Sequence, residues 1–131
     1  MKEQKYSAID NLSQEDKYTR FLADVAKAER VWIIERSRGS YMLRDADKQL
    51  SMPLWSEPDL VEYYIETNNI EGARAEAVDI VVFLTEWIDF AVDNNLRFTP
   101  LPSLTHMGAT IAPYDLQRDI QFEMDKEADE N

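Results

Sequence analysis

Val31-Trp32-Ile33-Ile34-Glu35-Arg36-Ser37-Arg38-Gly39-Ser40-Tyr41-Met42-Leu43-Arg44 holds two β-rich runs, Val31–Glu35 and Ser40–Arg44, around a polar link. Gly39 supplies the positive φ that a short connection needs, so the segment predicts a β-hairpin. Before it, Tyr18, Phe21, Leu22, Val25 and Ala26 recur at helical spacing behind Ser13, an N-cap with Asp16 three residues on. That predicts an amphipathic helix over residues 14–29, whose solvent side alternates Asp16, Arg20 and Asp24. After it, Asp45–Gln49 reads as a turn, and Leu50–Trp55 as a third strand that Pro53 confines to an edge or a strand end.

Ser56 is expected to cap a second helix, with Pro58 in its first turn and Leu60, Val61, Tyr64 and Ile65 inward, ending near Asn68-Asn69. Residues 70–78 stay open: Gly72 breaks a helix, and a short strand fits 75–78. Asp79 can cap a third helix over 80–92 with Ile80, Phe83, Leu84, Trp87, Ile88 and Ala91 as its core face. Val81, Val82, Phe90 and Val92 make that helix apolar nearly all round, which predicts the most buried helix of the fold. Leu96–Pro100 alternates as a strand, and Gly108–Ile111 reads as another. Pro113 opens a last helix over 114–124 with Leu116, Ile120 and Phe122 inward. The expectation is an α+β fold: a small mixed sheet (hairpin plus short strands) packed against about four helices. A single domain, 13–124, is expected between a flexible segment, 1–12, and an acidic disordered tail, 125–131.

This order of features resembles a known family. An amphipathic helix, the Val31-Trp32 strand and a hairpin precede Met52-Pro53-Leu54-Trp55-Ser56. Then come a helix carrying Phe83-Leu84 and Trp87-Ile88, a strand ending at Pro100, and Gly108 to Pro113 before the last helix. The pattern is similar to domain-of-unknown-function family 2750, small bacterial proteins, over roughly residues 18–123. Pro53-Leu54-Trp55-Ser56 is its most specific part. The resemblance implies a fold and a bacterial origin, and no mechanism.

Composition narrows the function. In 131 residues cysteine is absent and His106 is the one histidine, which excludes disulfides, thiolate zinc sites, iron–sulfur clusters and multi-histidine metal sites. The longest apolar run, Ile80–Leu84, is far below the roughly 20 residues that span a bilayer. The polar start Met1-Lys2-Glu3-Gln4-Lys5 shows no signal peptide, so a cytoplasmic location is expected. Fourteen Lys and Arg against 26 Asp and Glu leave a net charge of −12. Residues 49–96 hold one base, Arg74, against ten acids. Such a field repels nucleic acids and anionic membranes and favours a basic partner.

Several groups are candidates for function. Trp55 and Ser56 can frame a ligand pocket at a helix N-terminus. Trp32 and Trp87 read as core. Ser103 and His106 suggest a hydrolase arrangement, but there is no Gly-x-Ser-x-Gly elbow. Asp59, Glu62 and Glu66 share one helix face, as do Asp115, Asp119 and Glu123 on the last helix. Like charges at these spacings disfavour an isolated helix by a few tenths of a kcal/mol per pair, roughly, unless Lys or Arg offsets them. Those carboxylates have four readings: a solvated face, a surface for a basic partner, a divalent metal site, and general acid–base work. Asp45-Ala46-Asp47 is too little of a calcium loop, and exposed stripes do not split two pKa values.

With no phosphate loop, dinucleotide fingerprint or zinc spacing, no catalytic residue, cofactor or metal is expected. The leading expectation is a non-catalytic acidic protein-binding module. In its sharpest form it is a bacterial immunity-type protein neutralising a basic toxin such as a nuclease domain, through Asp59, Glu62, Glu66, Asp115, Asp119 and Glu123. The alternative is a small-molecule or peptide-binding module with an aromatic pocket near Trp55; a carboxylate enzyme comes third.

Overall fold

The computed structural model describes residues 2–106 and 108–130. Among the described residues, five helices surround two small sheets. In chain order the elements are α1 (Lys2–Asp10), α2 (Gln14–Ala28), β1 (Arg30–Arg36), β2 (Gly39–Ser40), β3 (Leu43–Arg44), β4 (Leu50–Leu54) and α3 (Pro58–Thr67). Then follow β5 (Arg74–Asp79), α4, β6 (Arg97–Pro100) and α5 (Pro113–Glu130). We count residues 80–93 as one helix, α4, because helical backbone runs unbroken through Ile80–Val82, a π-helical turn at Phe83–Trp87, and Ile88–Asp93.

The expected α+β class is what the chain adopts, with its strands divided between two three-stranded sheets, β2-β1-β5 and β3-β4-β6. Gly39, at φ 117°, turns the chain between β1 and β2 as the hairpin reading required. The returning strand is cut short: Gly39–Ser40 pairs with β1, whereas Leu43–Arg44 pairs with β4. The chain thus passes from one sheet to the other within the hairpin. Trp32 and Trp55 exchange backbone hydrogen bonds of 2.9 Å and join the sheets.

Pro53 is the next-to-last residue of β4, near a strand end as one of its two expected places, although β4 is the central strand of its sheet. Leu101 N–H donates to Leu54 O, so the alternation of the strand turns Pro53 away from β6. On that side β3 pairs only as far as Ser51, and no ladder donor is required of the proline. The open segment before α4 forms β5, antiparallel to β1 along its whole length. Gly108–Ile111 contributes one bridge, Ile111 to Phe98, instead of a strand.

Phe21, Val25, Val31, Ile33, Leu54, Leu60, Phe83, Phe98, Leu116 and Ile120 fill one contiguous core. Three expectations about its edges are corrected. Residues 2–10 are a helix, not a flexible arm: Tyr6 and Ile9, one turn apart, are each 1% exposed and seat α1 against α3. Residues 125–130 continue α5 instead of trailing off, since Glu, Lys and Ala favour helix and Gln121 bonds Asp125 one turn on. Phe122 is 69% exposed, because the inward row runs Leu116, Ile120, Met124 and residue 122 lies on the other side of the helix. The expectation for α4 holds in part: Ile80, Phe83, Leu84, Ile88 and Ala91 are buried, more than on any other helix among the described residues, and Trp87 packs half-buried against the core, but Val81, Val82, Phe90 and Val92 face solvent.

Candidate functional site

The expected opening at Trp55 and Ser56 is closed in the fold. Trp55 is fully buried, and its Nε1–H donates to Tyr6 Oη at 3.0 Å, which in turn donates to Pro102 O at 2.6 Å. Burial pushes the Tyr6 phenol well above the ordinary range. The indole occupies the space in which a pocket was expected. Ser56 does not cap α3. Glu57 holds the N-cap position with no side-chain bond, Pro58 follows it, and Ser56 Oγ is buried without a partner among the described residues. Trp32 and Trp87, expected in the core, are half-buried.

His106 is exposed, whereas Ser103 is buried and donates to Asp10 Oδ2 at 3.0 Å. Asp10 also accepts from Leu104 N–H and from Lys17 Nζ, at 3.2 and 3.1 Å. Burial alone would raise the Asp10 carboxyl; the hydrogen bonds from Lys17, Leu104 and Ser103 outweigh it and hold the pKa below the ordinary value. This buried cluster ties α1, α2 and the 101–105 loop together.

The acidic stripe on α3 meets lysines. Lys2 Nζ lies 3.0 Å from Glu66, and Lys5 Nζ lies 2.9 Å from Glu57 and 3.6 Å from Asp59. Both lysines are held above their usual pKa, chiefly by hydrogen bonds to Glu66 and Glu57 respectively. On α3 Glu62 alone of the expected three has no ion pair among the described residues. On α5, Arg118 reaches Asp115 at 3.5 Å and Asp119 at 3.1 Å, and Tyr18 Oη donates to Asp119 Oδ2 at 2.6 Å. Burial and then this carboxylate raise the Tyr18 phenol strongly. Glu123, half-buried, has no ion pair among the described residues. The six carboxylates do not converge on one surface: α3 lies against α1 and β5, and α5 against α2 and α4.

A whole group of acids without ion pairs among the described residues lies on α4. Asp79 Oδ2 accepts from Val81 N–H and Val82 N–H and starts the helix. At the π turn Ile88 N–H donates to Phe83 O. Helical spacing sets Val82, Glu86, Phe90 and Asp93 in one outer row and Val81, Thr85, Asp89 and Val92 in the next. Val81 is 59% exposed and Phe90 44%. Glu86, Asp89 and Asp93 are exposed, with no ion pair among the described residues, and no Lys or Arg occurs in 75–96. Beside this face lies a cleft of about 440 Å³ between the β1–β2 turn and α4, walled by Met42, Met52, Glu86, Trp87 and Phe90. Charge counting by segment signalled the acidity here. What the sequence reading missed was that the same helix shows its valines and phenylalanine to solvent.

A family model described as "Protein of unknown function (DUF2750)" matches residues 18–120. The chain belongs to this family. The DUF2750 span takes in all of β1 through α4, including the exposed face and its cleft, and omits α1, whose lysines neutralise α3. No curated protein and no solved structure matches the chain. Among the described residues no helix is long and apolar enough to cross a membrane, and no group of three or more His, Cys, Asp or Glu is placed to hold a metal ion.

Proposed function

We propose that the protein is a non-catalytic binding module that receives a basic protein partner on the outer face of α4. One observation carries the reading: Phe90, with Val81 and Val92, is exposed among Glu86, Asp89 and Asp93, and none of these acids has a basic counterpart in its own stretch of chain. Apolar side chains ringed by acid suit a contact whose centre is desolvated and whose rim steers a cationic surface. A π turn is frequent at functional positions, and here it lies within the same helix. In its sharpest form the partner is a basic toxin such as a nuclease domain, and this chain is the immunity-type protein that masks it in a bacterial cytoplasm. Nucleic acid and anionic membranes are disfavoured as partners by the net charge of −12.

The test pairs two immobilised variants with the wild type. A basic protein retained by the wild type should be released as salt rises, lost from Phe90→Ala, and kept by Asp59→Asn with Glu66→Gln. Equal loss from both variants, or binding indifferent to salt, overturns the reading. A second reading, a peptide or small ligand held by an aromatic pocket, moves from Trp55 to the Met42–Met52–Trp87 cleft, whose volume favours it. Trp87→Ala should abolish that binding and leave the helical signal intact; unchanged affinity removes the idea.

A further inference from the structure

β5 is the outer strand of its sheet, beyond β1. Hydrogen bonding alternates sides along an antiparallel strand. Trp32 exchanges bonds with Trp55, and Ile34 O accepts from Tyr41, so the even residues of β1 turn their backbone away from β5. The odd residues face it, and Ile80 N–H continues that ladder to Glu29 O at 3.0 Å. Since Ile33 is paired with Glu76, the groups of Arg74, Glu76 and Val78 are spent on β1, and those of Ala75 and Ala77 point out of the sheet. Among the described residues no hydrogen bond is made to them, and Ala77 is exposed.

We propose that this edge pairs with the same edge of a second copy of the chain, antiparallel, with Ala75 opposite the second copy's Ala75. The local sequence Ala73-Arg74-Ala75-Glu76-Ala77 alternates small residues with opposite charges. Pairing about Ala75 puts Arg74 across from the second copy's Glu76, and Glu76 across from its Arg74, at the closely spaced non-hydrogen-bonded positions. Sliding the register by two residues sets Glu76 against Glu76, which like-charge repulsion disfavours. Arg74 is the one base in residues 49–96, and it falls at this edge. Its contact with Glu76 of the same chain, 3.5 Å with the side chains 66% and 47% exposed, is open enough to be shared. The two-fold contact is self-complementary, and it removes an open strand edge by making a continuous sheet β2-β1-β5-β5-β1-β2. It rests on Arg74, Ala75, Glu76 and Ala77 of β5, none of which the proposed α4 contact uses, although the two elements line a common groove.

Sedimentation of the full chain from about 10 µM to about 1 mM covers the affinities expected of so small an interface. The wild type should pass from monomer to dimer, and Arg74→Glu and Glu76→Arg should each stay monomeric. An equimolar mixture of the two variants should recover the dimer, because each then opposes glutamates to arginines. A wild type that is monomeric throughout, single variants that dimerise as the wild type does, or a mixture that stays monomeric overturns the proposal. Where a variant does not fold, the amides of Ala75 and Ala77 in the wild type keep it falsifiable. Their hydrogen exchange should slow as protein concentration rises, and exchange independent of concentration also overturns it.

Discussion

α3 and α4 carry similar acidic loads and end in opposite electrostatic states. Asp59 and Glu66 of α3, with Glu57 before it, face Lys2 and Lys5 of α1. Glu86, Asp89 and Asp93 of α4 face water beside exposed Val81, Phe90 and Val92. The lesson is that a run of acids marks a docking face only when no neighbouring element brings the counter-charge. α1 is the deciding element, since it supplies the cations that close α3 and supplies none to α4.

The largest change should come from unseating α1. Tyr6 is buried to 1% exposure and accepts the Trp55 indole hydrogen bond, so Tyr6→Ala should cost about 3–5 kcal/mol in urea unfolding. A cost near zero would mean that α1 is not docked, and the contrast between α3 and α4 would disappear with it. Next, Lys17→Ala strips Asp10 of its buried ion pair and should cost about 3 kcal/mol. The same variant has a pH signature. The folded pKa of Asp10 is lowered, so its contribution to stability is complete above the unfolded value of roughly 3.9 and fades as pH falls through the folded value. Wild-type stability should therefore drop on acidification below about pH 4 more steeply than that of Lys17→Ala, as read by unfolding at a series of pH values.

Smaller effects probe the two faces directly. Phe90→Ala should weaken binding of the basic partner about tenfold or more, by titration calorimetry, with stability little altered because the ring is already 44% exposed. Asp59→Asn with Glu66→Gln should change that affinity by less than about twofold, since these carboxylates are engaged by lysines at an exposed contact. A reversed ranking of the two would move the docking face from α4 to α3.

Much of the secondary structure was legible. The Ser13 cap, whose Oγ accepts from Asp16 N–H, the Phe21–Val25 stripe and the Asp79 cap are local signals, and local geometry honours them. The helix α1 was not legible, because Tyr6 and Ile9 are two apolar residues in a polar segment and need α3 opposite them to count. The π turn in α4 was hidden for a related reason: an apolar pattern all round a helix does not say which side is covered. The candidate site was half legible. Charge by segment located the excess acid, and spacing on single helices then favoured α3 and α5, where Lys2, Lys5, Arg118 and Tyr18 intervene.

From the sequence alone come the α+β class, the family pattern, the excess of acid and the exclusion of cysteine and multi-histidine chemistry, because these rest on composition and on periodicities a few residues long. Only the tertiary structure decides which carboxylates remain free. Coulomb attraction depends on distance in space and not along the chain: Lys2 and Glu66 are 64 positions apart in sequence and 3.0 Å apart in the fold.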